Sequence, residues 1–547
     1  MNKVNNLMAV DAPKEIQQAS WKVVSMVLFV ALSLSTKTVF AELPDIVTPY
    51  FTTQVKHQAS DHSPFANFGN SVAIDGDTAV IGAFRDGGVT ESGAAYVFVR
   101  KESGWVEQQK LVPDDLADKD LFGRSVAISG DSILISSLAD DDNGIDSGAA
   151  YVFVRLGDSW IQQQKLLTSD GSQGNQAGWS VDLDGDTALI GVWLDDDNGL
   201  FSGSAYVFVR ENDVWTEQQK LLPADGATQE RFGIGVSVSG DTAIISAMVD
   251  DAQGAESGSA YIFQRSGQTW VEQQKLLPSD GAAGDRSGIS VSIDSNLAVI
   301  GSWRDDDQGN DSGSVYMYEN IAGSWTETQK LIPADGGAGQ EFGYSVSISG
   351  DTLLVGSFSD DDQGVTSGSA YIFKRIDGTW IEQQKLLPQE VTIGDQFGVS
   401  VAVDGLTAIS GSWWSDENGD VNHENSGVAY FYETTPVCDA TMSQLSYVDN
   451  ELVSTATFRL LTSSAAVEAV EWKAWLKGPS GEIIPTVNRG ADGSFILAPG
   501  TDFDLGNVPL FNVNASMPRG RYTFACRFMH PVTGATRTVD KNTFEIK

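Results

Sequence analysis

The stretch FGYSVSISGDTLLVGSFSDDDQGVTSGSAYIFKRIDGTWIEQQKLL, residues 342–387, carries the pattern that decides the fold. From Gly343 to Ile348 apolar and polar residues alternate, the period of a half-buried strand. Ser349-Gly350-Asp351 reads as a tight hairpin turn. Thr352 to Phe358 predicts a second, more apolar strand, and Asp360 to Gly368 an acidic loop. Ser369 to Arg375 predicts a third strand, Ile376 to Thr379 a turn, and Trp380 to Leu387 a fourth strand. Four antiparallel strands in roughly 50 residues make one propeller blade, whereas the rungs of a parallel β-helix are shorter.

The unit recurs. Trp105, Trp160, Trp215, Trp270, Trp325 and Trp380 follow one another at a strict spacing of 55 residues. A second marker precedes each alternating strand: Phe68-Gly69, Phe122-Gly123, Ala177-Gly178, Phe232-Gly233, Ser287-Gly288, Phe342-Gly343 and Phe397-Gly398. Self-similarity at a fixed period signals a repeat architecture, here of seven units. The seventh unit ends its third strand at Val428 to Tyr432 and lacks a Trp strand. Phe51 precedes Phe68 by 17 residues, as Trp105 precedes Phe122, and Lys56 falls where Lys110 falls. Phe51 to His57 is therefore expected to supply the outer strand of the last blade. That closes the ring at seven blades and removes the open edge.

These units resemble the FG-GAP repeats of bacterial surface proteins and integrin α-subunits. The resemblance covers roughly residues 50–433 and rests on the FG dipeptide, the Ser-Val strand after it, and a GAP-like step at Gly82-Ala83-Phe84, Gly356-Ser357-Phe358 and Gly411-Ser412-Trp413. It implies an all-β, seven-bladed propeller and an extracellular binding or adhesion role. The family's calcium loop lies between the first two strands of a blade. Here Ser129-Gly130-Asp131 and Asp184-Gly185-Asp186 stand in that place, with too few oxygen ligands for a six- to eight-coordinate cation. The proline of the GAP step is also missing.

The chain has 547 residues and a formal charge of −40. Such a surface repels nucleic acid and anionic lipid and attracts divalent cations. Lys22 followed by the apolar run Val23 to Leu34, with Val39-Phe40-Ala41 before Glu42, reads as a signal peptide with a long leader, residues 1–41. The run is shorter than the roughly 20 residues that span a bilayer. A linker at 42–49 leads to the propeller, 50–436. Export places the protein outside the cell, released or on its surface, and favours a disulfide between Cys438 and Cys526, its two cysteines. Residues 437–547 leave the repeat and predict strands at Ser454 to Leu461, Val470 to Leu476 and Tyr522 to Phe528. They suggest a β-sandwich of immunoglobulin or fibronectin type.

Candidate chemistry gathers on one face of the disc. Loops joining second to third strands, and loops leading into the next blade, hold half of the 74 acidic residues of the chain. Asp140 with Asp142, Asp195 with Asp197, Asp305 with Asp307 and Asp360 with Asp362 each precede a flexible glycine, an arrangement open to calcium. The same loops read equally as solvated turns whose carboxylates hold local N–H groups. The GAP-like step ends in large side chains, among them Trp193, Trp303 and Trp413 with Trp414 beside it; aromatic faces next to carboxylates suit sugar recognition, or pack between blades. His423 lies in the longest loop, Asp416 to Ser426 of the seventh unit. No catalytic motif is recognisable. The expected function is a secreted or surface protein, a monomer by preference, binding a glycan or protein partner through the acidic face, with calcium as the one suggested cofactor. A carboxylate-based extracellular hydrolase or lyase and a structural matrix component are the alternatives.

Overall fold

The computed structural model describes residues 51–433, apart from 52, 62, 102, 391–392 and 416–425, and the backbone of strands between Cys438 and Ile546. Residues 1–50, where a leader and its cleavage site are expected, lie outside the described residues, as does His423.

Seven four-stranded antiparallel sheets follow the repeat. In blade 6, numbered after its FG marker, the strands run from the channel outward as Ser345–Ser349, Thr352–Ser357, Ser369–Ile376 and Thr379–Leu386. The inner strand starts two residues later than the alternation predicts. Gly343 takes φ of +91° and steps out of the ladder, and in blade 2 the pairing register shifts between Phe122 and Val126. The cause is close approach between blades. A Cβ on Gly123 would overlap the Ala94 carbonyl oxygen, and one on Gly82 would overlap the Gly123 carbonyl oxygen. The FG glycine of one blade thus lies on the GAP glycine of the blade before it, and neither position has room for a side chain.

The ring closes as expected. Thr53–His57 pairs antiparallel with Val428–Glu433, placing Lys56 opposite Tyr430 just as Lys110 lies opposite Tyr96. Each apolar core sits between two neighbouring blades. One such cluster joins Val80 and Val97 of blade 1 to Phe122, Tyr151 and Trp160 of blade 2. Burying each large side chain there is worth about 1.5–3 kcal/mol. The repeat tryptophans are blade-packing residues: all six are buried, and Arg155 stacks on Trp160 at 4.5 Å.

Polar fasteners cross the seams at three radii. Near the axis, Ser71 Oγ accepts from Val126 N–H and Ser125 Oγ from Val181 N–H, both at 3.1 Å. At the hairpin turns, Asp184 accepts from Gly240 N–H at 2.6 Å and Asp294 from Gly350 N–H at 2.6 Å. At the rim, Gln109 both accepts from Trp160 N–H and donates to Trp160 O, each at 2.8 Å. Gln164, Gln219, Gln274 and Gln329 repeat this double bond on the next tryptophan. The short turns that lack calcium ligands therefore serve as interblade caps.

In the C-terminal segment, Cys438–Val448 pairs with Glu451–Leu460, which also pairs with Val508–Val513. A second antiparallel sheet orders Ile483–Arg489, Glu468–Lys477, Gly520–Met529 and Thr536–Ile546. Cys438 and Cys526 fall on different sheets. Their side chains, and the sheet-to-sheet packing on which a sandwich depends, lie outside the described residues.

Candidate functional site at the loop face

The acidic loops are built around lysine. In blade 6 Asp360 is fully buried, and its Oδ2 accepts from Lys385 Nζ at 2.8 Å and from the Tyr371 hydroxyl at 3.2 Å. Lys385 also donates to Asp335 at 2.8 Å and to Asp362 at 2.7 Å. The other Asp360 oxygen accepts from Asp362 N–H at 2.9 Å, which folds the loop back on itself. Burial alone would lower the Lys385 pKa, but its three carboxylates outweigh that and hold it above the ordinary lysine range. Burial likewise opposes ionisation of Asp335, and the hydrogen bond from Lys385 overcomes it, leaving Asp335 below the usual carboxylate range.

The constellation repeats. Lys165 binds Asp115, Asp140 and Asp142; Lys220 binds Asp170, Asp195 and Asp197; Lys330 binds Asp280, Asp305 and Asp307. Lys275 and Lys110 each hold two carboxylates. All eight aspartates that the sequence suggests for calcium are thus brought to an ammonium group instead. Among the described residues no group of three or more His, Cys, Asp or Glu side chains is disposed to hold a metal ion. A protein-borne cation fills the place between the carboxylates, and in blades 1 to 6 one lysine neutralises what burial makes costly.

Nearer the axis the character of the face changes. The residue after each FG-type glycine differs in every blade except two: Asn70, Arg124, Trp179, Ile234, Ile289, Tyr344 and Val399. Beside them stand the side chains that end the GAP-like steps. Trp179 and Trp193 meet at 4.3 Å between ring centres, and the Arg124 guanidinium lies over Trp179, also at 4.3 Å. Arg231 covers Trp193 at 4.9 Å, and Phe84 lies 5.9 Å from Arg124. Phe84 continues to Trp413 at 6.2 Å and Trp414 at 6.3 Å beyond it, so the arc runs from blade 7 to blade 4. Across the mouth, Tyr344 packs on Phe358 at 4.4 Å and on Trp303 at 5.7 Å. Arg124 and the Tyr344 hydroxyl are within electrostatic range of each other, and burial lowers the one pKa and raises the other.

Of the tryptophans marked out in the sequence, Trp193, Trp303 and Trp413 are half-buried and engaged with neighbouring rings, while Trp414 is 46% exposed. Arg124, Arg231 and Trp179 were not expected there. Their signal was available: they fall at positions that vary between blades while the flanking FG and strand residues repeat. On the opposite face, a cleft of ≈ 690 Å³ lies between blades 2 and 3. Its arginines, Arg155 and Arg210, are already paired with Asp131 and Asp186.

The FG-GAP repeat model matches the chain seven times, at residues 51–98, 105–153, 160–208, 215–263, 270–318, 325–373 and 380–432. The chain belongs to the FG-GAP repeat family. No curated protein matches it in sequence. Among solved structures, this FG-GAP chain is similar to Chaetomium thermophilum Sqt1, at 12% identity and a TM-score of 0.40, over 74% of this chain and 95% of that one. It is also similar to the extracellular domain of a hybrid two component system from B. thetaiotaomicron, at 10% identity and a TM-score of 0.42, over 91% of this chain and 60% of the other. A third likeness is to Pyrococcus horikoshii acylaminoacyl peptidase, at 10% identity and a TM-score of 0.35, over 73% of this chain and 58% of that one.

Proposed function

We propose that this FG-GAP propeller is an exported, non-catalytic binding module that holds a glycan at the channel mouth of its loop face. The observation that carries the reading is the arc of half-exposed rings from Trp414 through Phe84 to Trp193. Ring faces stack on the C–H faces of sugars, and a concave aromatic mouth with few polar groups is the usual form of a ligand site. The surrounding acidic loops act as a rigid collar, since their buried carboxylates are committed to lysine and tyrosine. Binding on this reading needs no added divalent cation.

The test is titration of the full chain with an oligosaccharide panel, followed by tryptophan fluorescence and calorimetry. Saturable binding that Trp179→Ala and Trp413→Ala each weaken about tenfold, with calcium and chelator without effect, supports the reading. Stacking losses of about 1–1.5 kcal/mol correspond to that factor. Panel-wide failure to perturb fluorescence overturns it.

A further inference from the structure

Among the described arginines, two stand apart from the rest. Six lysines of the loops are paired with aspartate, and Arg155, Arg210 and Arg265 with Asp131, Asp186 and Asp241. Arg286 and Arg375 hold Glu256 and Glu319. Arg124 and Arg231 have ring contacts and no carboxylate partner among the described residues. In a chain with 74 acidic and 34 basic side chains, a guanidinium without a carboxylate is unexpected, and here two of them bracket one pair of rings.

We propose that the channel mouth is a binding strip for an anionic oligosaccharide, its carboxylates or sulfates taken by Arg124 and Arg231 and its ring faces by Trp179 and Trp193. The proposal rests on the glycan reading above and names the class of its ligand. The order along the strip is cation, ring, ring, cation: Arg124 to Trp179 4.3 Å, Trp179 to Trp193 4.3 Å, Trp193 to Arg231 4.9 Å. A guanidinium that lies over a ring uses no N–H donor in that contact, and those donors can bind a carboxylate or sulfate in bidentate fashion. The flanking rings hold that plane in place and restrict its rotamers, so less freedom is lost on binding. Both arginines and both tryptophans are partly buried and keep part of their surface at solvent. The net charge of −40 repels an anionic ligand at a distance. That field is screened beyond about 10 Å at 0.1 M salt, whereas contact with the two guanidinium groups is not. A neutral saccharide has no use for either cation.

The experiment titrates the full chain with a galacturonate tetramer, a sulfated galactan oligomer, a neutral oligosaccharide of the same length and a glutamate oligomer, reading tryptophan fluorescence and heat. The expected result is saturable binding of an anionic sugar, weakened about tenfold or more by Arg124→Gln or Arg231→Gln, the size of a lost charge-assisted hydrogen bond. Arg124→Lys retains part of it, and Arg210→Gln on the opposite face leaves it unchanged. Melting temperatures of the variants, taken alongside, separate lost binding from lost folding, and Arg231→Gln serves should Arg124→Gln fail to fold. The uronate and sulfate arms tell which anion is preferred. Equal affinity for the neutral sugar, equal affinity for the glutamate oligomer, or unchanged affinity in both Gln variants overturns the proposal. Binding of the neutral sugar alone overturns it while leaving the glycan reading intact; binding of no saccharide removes both.

Discussion

Gln384 holds Phe51 by both ends of its amide: its oxygen accepts from Phe51 N–H at 2.9 Å and its nitrogen donates to Phe51 O at 3.1 Å. The two residues are 333 positions apart, yet the contact copies what Gln329 makes with Trp380 in the neighbouring blade. One repeated side chain therefore joins consecutive blades and also binds the start of the array to its end.

Gln384→Ala removes both bonds and leaves two backbone groups of a half-buried strand without partners. The expected loss is about 1–3 kcal/mol of unfolding free energy. Urea denaturation of the variant beside Gln219→Ala, which breaks the same contact inside the array, checks it. Similar losses show that the ring unfolds as one unit; a far smaller loss for Gln384→Ala shows that the closing seam frays independently.

Lys385→Met leaves Asp360 buried beside Tyr371 with no cation. Breaking one side of a buried ion pair costs about 3–5 kcal/mol. Adding Asp360→Asn to that variant removes the uncompensated charge and is expected to restore part of the loss. Arg286→Ala, whose partner Glu256 is half exposed, is expected to change stability by less than about 1 kcal/mol. Thermal melts of the four proteins give the comparison.

Acid and base act on this collar in opposite ways. Asp115, Asp170, Asp280 and Asp335 have folded pKa values below 3.8, so their contribution is present above about pH 4 and is lost as pH falls through the folded values. Asp285 is pushed by burial up to about 6, so its contribution is present below 3.8 and is lost as pH rises through about 6. The lysines, raised from 10.5, keep theirs until pH rises past that value. The melting temperature is therefore expected to rise slightly from about pH 7 to 5 and to fall below about pH 4. Asp285→Asn should flatten the first part and leave the second.

Gly123→Val sets a branched side chain against the Ala94 carbonyl at φ of +90°. Overlap with backbone has no side-chain escape, and the expected cost is about 4 kcal/mol or more. The same change at Gly130, also at positive φ but with open space around it, should cost far less. Circular dichroism melts of both variants separate crowding from conformation.

The blades, their number and the closing strand were legible because a strict period reports geometry directly. Trp160 repeats because every blade packs alike. The collar was half legible. Asp360 and Asp362 stood out as acidic, but Lys385, 25 and 23 positions away, belongs to another strand, and only the antiparallel turn brings them together. Its recurrence at Lys110, Lys165, Lys220, Lys275 and Lys330, always opposite a tyrosine, was the missed sign. The channel mouth was the least legible part. Arg124 and Arg231 fall at positions that vary from blade to blade, and no local pattern says that blades 2 and 4 aim them at one pair of rings.

The strand Thr53–His57 has a further consequence for how the protein comes into being. Gln54 donates to the Tyr432 hydroxyl at 3.0 Å, 378 positions away. In chain order the strand comes before all seven sheets and its own sheet comes last, so its pairing waits on the whole array. Slow, non-local pairing of this kind delays folding and exposes a free sheet edge. Val55 occupies the place where other blades carry the clamping glutamine and is 41% exposed, so the seam it reaches, between blades 7 and 1, is fastened without that clamp. There Trp105 Nε1 donates to Glu433 at 2.8 Å instead, so the closing seam is held by a contact of its own.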